Sequence, residues 1–197
     1  MIRCLPFHFL LCLVLGACAS PETLEPRDGT VPAGTDFSGN WVMREVSPSQ
    51  RRRIREAIRK TAGVDDEAVF KAKRTAQSRS RSSGSMKGGQ VYVFLETGTA
   101  LKITQTPYAL FISFDRSVVE EFRFGESRMV SVGEITAQRV TGWEGTQLVV
   151  ETLGRNGMKL TERFHLTDGG NTLQRRITLR SKKLEEETIV QVFDRAD

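Results

Sequence analysis

Any chemistry in this chain has to be built around very few groups. Histidine stands only at positions 8 and 165, and cysteine only at 4, 12 and 18. A zinc site normally takes several His or Cys ligands, so neither a metal nor a cofactor is expected. A Ser-His-Asp triad around His165 is arithmetically open, but no G-x-S-x-G, P-loop or G-x-G-x-x-G accompanies it. Glu120-Glu121 is the most visible carboxylate pair. In an extended strand, adjacent side chains point to opposite faces, so these two cannot share a substrate. The carboxylate that stands out is Glu162, which interrupts an apolar face made by Met158, Leu160, Phe164 and Leu166. A buried carboxylate is costly unless paired. Glu162 therefore either orients a ligand or acts as an acid/base, or it is neutralised by Arg139 or Arg175; the pair is the favoured reading. His165 lies on the other, polar face with Lys159, Thr161 and Arg163, where a solvated histidine is expected. No catalytic residue is assigned, and the chain is read as a non-enzyme.

These residues need elements to hold them, and period-two patterning supplies the elements. Asp36 to Met43 reads as a first strand. From Gln90 onward, further strands are predicted over 90–96, 99–105, 108–115, 118–124, 127–133, 134–143, 146–153, 158–167, 172–181 and 186–194. Glu144-Gly145, Arg155-Asn156-Gly157 and Asp168-Gly169-Gly170-Asn171 punctuate them as turns. Short strands joined by tight turns imply an antiparallel meander. A sheet that long exposes its edges unless it curls shut, so the expected fold is mainly β, an up-and-down barrel of about 8–10 strands. On such a barrel Trp41 and Trp143 are expected in the core or closing one end, with ligand stacking as the alternative. Trp41, Trp143, Glu162 and Phe164 are the candidate interior and ligand-facing residues.

A helical insertion is predicted over 47–77. Ser47-Pro48-Ser49-Gln50 reads as a capping box with proline at the first helical position, and Ile54, Ala57, Ile58 and Ala62 follow at helical spacing. Residues 78–89 have loop composition and are expected to be mobile. The insertion concentrates the charge: residues 51–87 hold 12 Lys/Arg against 4 Asp/Glu. Arg51, Arg52, Arg53, Arg55, Arg59 and Lys60 form its densest cluster, a candidate contact for an anionic surface or simply a solvated helix face.

The N-terminus sets the compartment. Arg3 precedes an apolar run from about Leu5 to Ala17, too short for a bilayer span of roughly 20 residues, and small residues follow. Leu15-Gly16-Ala17-Cys18 resembles the lipobox of bacterial lipoproteins. The resemblance implies that residues 1–17 are a signal peptide and that Cys18 is lipidated, its palmitate-type acyl chains making the membrane a partner. Ala19 in place of aspartate implies the outer membrane, facing the periplasm. The mature chain would then hold no thiol and a single histidine. Export also excludes nucleic acid as the partner of the basic cluster, leaving anionic envelope components. Residues 18–35, with Pro21, Pro26 and Pro32, read as a flexible linker, and 36–197 as one domain.

Gly39-Asn40-Trp41 resembles the G-x-W of lipocalins and related calycin barrels. That likeness implies a tryptophan closing one barrel end beneath a late-strand arginine, here Arg180 or Arg195. Most of the mature chain is similar to uncharacterised secreted proteobacterial proteins that begin D-[FL]-S-G-x-W. The shared stretches are Trp143 to Glu151 and Gly157 to Gly169. This implies a lipocalin-like fold and no activity. The expected function is a lipid-anchored envelope binding module, holding a small apolar ligand in its barrel. The alternative is a filled scaffold whose basic helix meets anionic envelope components; a hydrolase-type enzyme is the remotest reading.

Overall fold

The alternating sequence folds as ten antiparallel strands in a computed structural model that describes residues 22–44, 49, 52, 56, 91–96, 98–116, 118–181 and 184–197. The strands are β1 (Gly39–Met43), β2 (Ala100–Gln105), β3 (Ala109–Phe114), β4 (Val118–Arg123), β5 (Ser127–Val132), β6 (Ile135–Glu144), β7 (Gln147–Gly154), β8 (Lys159–Thr167), β9 (Thr172–Ser181) and β10 (Leu184–Ala196). β8 shows why the pattern works. Leu160, Glu162 and Phe164 are buried, while Lys159, Thr161, Arg163 and His165 are partly exposed, the two-sided face of a strand with one wet side.

The sheet order is β4-β3-β2-β1-β10-β9-β8-β7-β6-β5. The first strand therefore joins both halves, Trp41 lying opposite Leu101 on one side and Arg195 on the other. The sheet curls into a half-barrel whose end strands, β4 and β5, share no ladder. Side chains bridge them instead: Arg128 donates to the Glu121 carbonyl oxygen at 2.6 Å, and Arg139 in β6 reaches the Glu120 carboxylate at 2.9 Å. Glu120 and Glu121 thus turn to different partners, as adjacent strand residues must.

Nine of the strands expected after Gln90 are present; the first of that series, 90–96, is not. Val91–Phe94 is instead a short 3₁₀ turn. The run V-Y-V-F-L is apolar throughout, and periodicity alone does not distinguish a strand from another buried segment. β1 and β2, the strands that flank the run in sequence, are each paired on both sides, so neither offers it an edge. It buries Val93, Phe94 and Leu95 in the barrel mouth instead.

The stretch 18–35, expected to be linker, also differs. Its described part, from Glu22, lies on the outer faces of β6 and β7 and then crosses one end of the barrel. Leu24 is buried with Val140 and Leu153, its backbone bonded both ways to the Gln138 amide at 2.9 and 3.0 Å. Arg27 meets Glu144 and Glu151. The Trp143 amide donates to Asp28 O at 2.8 Å. The close approach needs Gly142, where a Cβ would sit 2.5 Å from both Arg27 Cβ and Asp28 O. Ser49, Arg52 and Glu56 are helical; the rest of the insertion 47–77, the loop 78–89 and the signal segment 1–17 lie outside the described residues.

Candidate binding site in the barrel interior

The interior is layered. At the closed end, Phe37, Trp41, Phe124, Trp143, Leu148 and Phe193 form part of one buried cluster. Trp41 donates its indole N–H to Phe37 O at 3.0 Å. The guanidinium of Arg195 lies 4.3 Å from the Trp41 ring centre and donates to Ser38 O at 2.7 Å and Gly170 O at 3.1 Å. Of the two arginines considered for this position, Arg195 takes it; Arg180 pairs with Glu22 on the outer surface. Gly39, at φ 143°, makes room, since a Cβ there would lie 2.4 Å from Arg195 Nη1. Trp143 stacks on Phe37 at 5.8 Å and meets the edge of Phe124 at 5.2 Å. Its buried indole N–H has no hydrogen-bond partner among the described residues.

A polar belt crosses the middle. Glu162 and Arg175 are 1% exposed each and form an ion pair, with Arg175 Nε donating to Glu162 Oε2 at 2.8 Å. The other end of the guanidinium donates to Glu96 O at 2.8 Å and Gln191 Oε1 at 3.2 Å. Phe114 and Phe164 flank it, with ring centres 5.1 and 5.6 Å from its central carbon. Of the two partners foreseen for Glu162, Arg175 is the one that binds it. Arg139 serves Glu120 and donates to Thr152 Oγ1 at 3.2 Å, between the rings of Phe94 and Phe122. A buried guanidinium with fixed acceptors resists displacement, because each lost partner leaves a desolvated donor.

Beyond the belt lies the mouth, where Met158, Leu160, Ile177, Leu179 and Ile189 surround Val93, Phe94 and Leu95. The 91–96 segment thus stands inside the barrel without joining its ladders, tied to the belt through Glu96 O.

Trp41, Trp143 and Phe164 therefore share one cluster, with Glu162 next to it in the belt. His165 is half-buried, not fully solvated, and its Nδ1 has no hydrogen-bond partner among the described residues. Arg52 is exposed. Arg51, Arg53, Arg55, Arg59, Lys60 and Cys18 lie outside the described residues. The sequence pattern marks the belt's second cation, Arg139, only as a possible mate for Glu162, and carries no expectation for the packing of Leu24 and Arg27. Two signals pointed to that packing: a lone Leu24 in a proline-rich stretch, and Gly142 in a strand interior, where glycine often marks close backbone approach. No group of three or more His, Cys, Asp or Glu suited to a metal occurs among the described residues.

Outside the barrel, the carboxylates under the N-terminal segment are tuned by it. Burial works against the Glu151 carboxylate, but hydrogen bonds from Lys159 and Arg27 outweigh it and hold its pKa below the ordinary range. Glu144 is held low by the Arg163 hydrogen bond and, against burial, by the Arg27 charge. A groove of about 290 Å³ opens beside this segment, lined by Glu22, Met129, Gln138, Leu153, Gly154, Arg155 and Gly157.

No family model and no curated protein matches the chain. Among solved structures, it is similar to secretory abundant heat soluble protein 4 from Ramazzottius varieornatus, with a TM-score of 0.50 at 15% identity over 83% of this chain and 97% of that one. A second such protein from the same organism gives 0.49 at 11% identity, covering 87% and 100%. A Schistosoma mansoni fatty acid binding protein in complex with arachidonic acid gives 0.49 at 11%, covering 82% and 96%. At these identities the likeness is one of fold, a ten-stranded antiparallel half-barrel of the calycin kind.

Proposed function

We propose that this chain is a lipid-anchored envelope protein whose barrel holds a small, largely apolar ligand, and that segment 91–96 fills the ligand's place when none is bound. The lipobox residues Leu15-Gly16-Ala17-Cys18 support the anchor. One observation carries the ligand reading: Val93, Phe94 and Leu95 are buried inside the barrel but belong to no strand, so they can leave without breaking a ladder. Displacing three apolar side chains forfeits roughly 4.5–9 kcal/mol of burial, and a ligand recovers about 0.8 kcal/mol per CH₂. A chain of about 6–11 methylenes therefore breaks even, so acyl-length ligands bind and short ones do not.

The test uses the chain from Ala19 to Asp197, secreted to the periplasm without the lipidated cysteine and analysed by native mass spectrometry. A stoichiometric amphiphile adduct, absent after denaturation and refolding, is expected. Hexadecanoic acid added to the refolded protein should restore it. Phe94→Ala weakens the competing segment by about 2 kcal/mol, so it should tighten hexadecanoate about 30-fold. A clean apo mass with no saturable hexadecanoate binding in either protein would sink the reading. It would leave the filled scaffold, with the basic insertion as its contact.

A further inference from the structure

We infer that the open end of the barrel, around the β5–β6 and β7–β8 turns, is held face-on to an anionic lipid surface by the N-terminal segment acting as a strap. The inference rests on the lipid anchor proposed above, not on the ligand. Glu22 is fixed at the rim of that end by Arg180 and stands 4.0 Å from Lys159. Leu24, Arg27 and Asp28 then bind the segment along the wall. Four residue steps separate Glu22 from Cys18, a reach of at most about 14 Å. A tether that short does not let a barrel about 25 Å tall turn over. The bilayer must therefore meet the end where the strap begins.

The surface at that end suits a headgroup layer. Met129 is 60% exposed and lines the groove with Leu153 and the exposed Arg155. Arg155 has no carboxylate partner among the described residues. Asp28, Asp36, Glu126 and Asp168 lie at the opposite end, around the β4–β5, β6–β7 and β8–β9 turns, and Asp115 and Glu134 lie at this one, so Met129 and Arg155, not a lack of carboxylates, mark this end for the lipid. Each cation near an anionic leaflet contributes about 1 kcal/mol.

The full chain, purified from membranes, tests this. Lipidation leaves no free thiol, so Glu134→Cys at the open end and Asn171→Cys at the closed end each accept one fluorophore. Both side chains are exposed. In vesicles of phosphatidylethanolamine and phosphatidylglycerol carrying a headgroup-level quencher, the label at 134 should be quenched severalfold more than that at 171. Equal or reversed quenching in a chain whose mass includes the diacylglyceryl group overturns the orientation alone. A chain recovered without that mass removes the anchor itself and the orientation with it.

Discussion

Arg175 is the residue on which the interior depends most. It is a cation inside a half-barrel, with Glu162 on one side of its guanidinium and Glu96 O and Gln191 on the other. Removing one member of such a pair leaves the other charge buried and unpaired, at a cost of about 3–5 kcal/mol. That is a large part of a typical domain's ~5–15 kcal/mol. Arg175→Met is therefore expected to shift the urea midpoint far down. The double variant Glu162→Leu/Arg175→Met should recover most of the loss, because an apolar pair of similar volume carries no desolvation penalty. Urea titrations followed by circular dichroism on the single variants and the double give the coupling directly. Additive losses would mean that Glu162 and Arg175 contribute separately, and the belt would not be a unit. The pair was half legible in sequence. Glu162 betrayed itself by breaking an apolar alternation, but two arginines satisfied the same pattern, and only the register that sets Phe164 against Arg175 separates them.

At the scale of elements, the strap is the feature that sequence patterning hid. Its hold comes from one buried leucine, a pair of backbone–amide bonds and ion pairs, none of which produces a periodicity. The ten strands were legible because a curled sheet with one wet face enforces alternation over most of its length. Segment 91–96 was misread because burial inside a barrel and burial within a sheet both favour the same apolar residues. The strap's dependence on Gly142 is testable: Gly142→Ala places a methyl group 2.5 Å from Asp28 O. Overpacking of this kind costs about 1–3 kcal/mol. Its signature should be local, with faster hydrogen exchange at the Trp143 amide, which Asp28 O now protects, and an unchanged core. A uniform acceleration across the sheet would show instead that Gly142 is needed by the barrel itself. Acid should release the same element. Glu151 and Glu144 titrate below their unfolded values, so their contribution is complete above the ordinary carboxylate pKa of about 4.3. It is lost as pH falls through the lower folded values. Exchange at Leu24 N–H should therefore rise below about pH 4, ahead of global unfolding, and Glu151→Gln should move that rise to neutral pH.

The whole molecule is electrically divided. Residues 18–197 hold 28 basic and 24 acidic side chains, a net +4, yet residues 51–87 alone carry +8 and the remainder −4. The residues outside 51–87, net negative, would be repelled by an anionic surface, whereas 51–87 carry the charge such a surface attracts. The division also explains why composition alone misleads: the sequence pI of about 9.4 describes a basic protein, while the barrel is not one. It follows that adsorption to anionic vesicles should reside in the insertion. With Cys18 replaced, the four-fold variant Arg51→Gln/Arg52→Gln/Arg53→Gln/Arg55→Gln removes up to about 4 kcal/mol of attraction at low salt, a loss approaching a thousandfold in partitioning. The wild-type chain should itself desorb as salt shortens the Debye length to about 8 Å at 0.15 M. Vesicle co-sedimentation across a salt series reads both effects. Salt-sensitive binding retained in the four-fold variant would place the attraction on the barrel rim at Arg155, whereas binding that survives both the substitutions and high salt would mean that the insertion binds through its apolar residues and not through its charge.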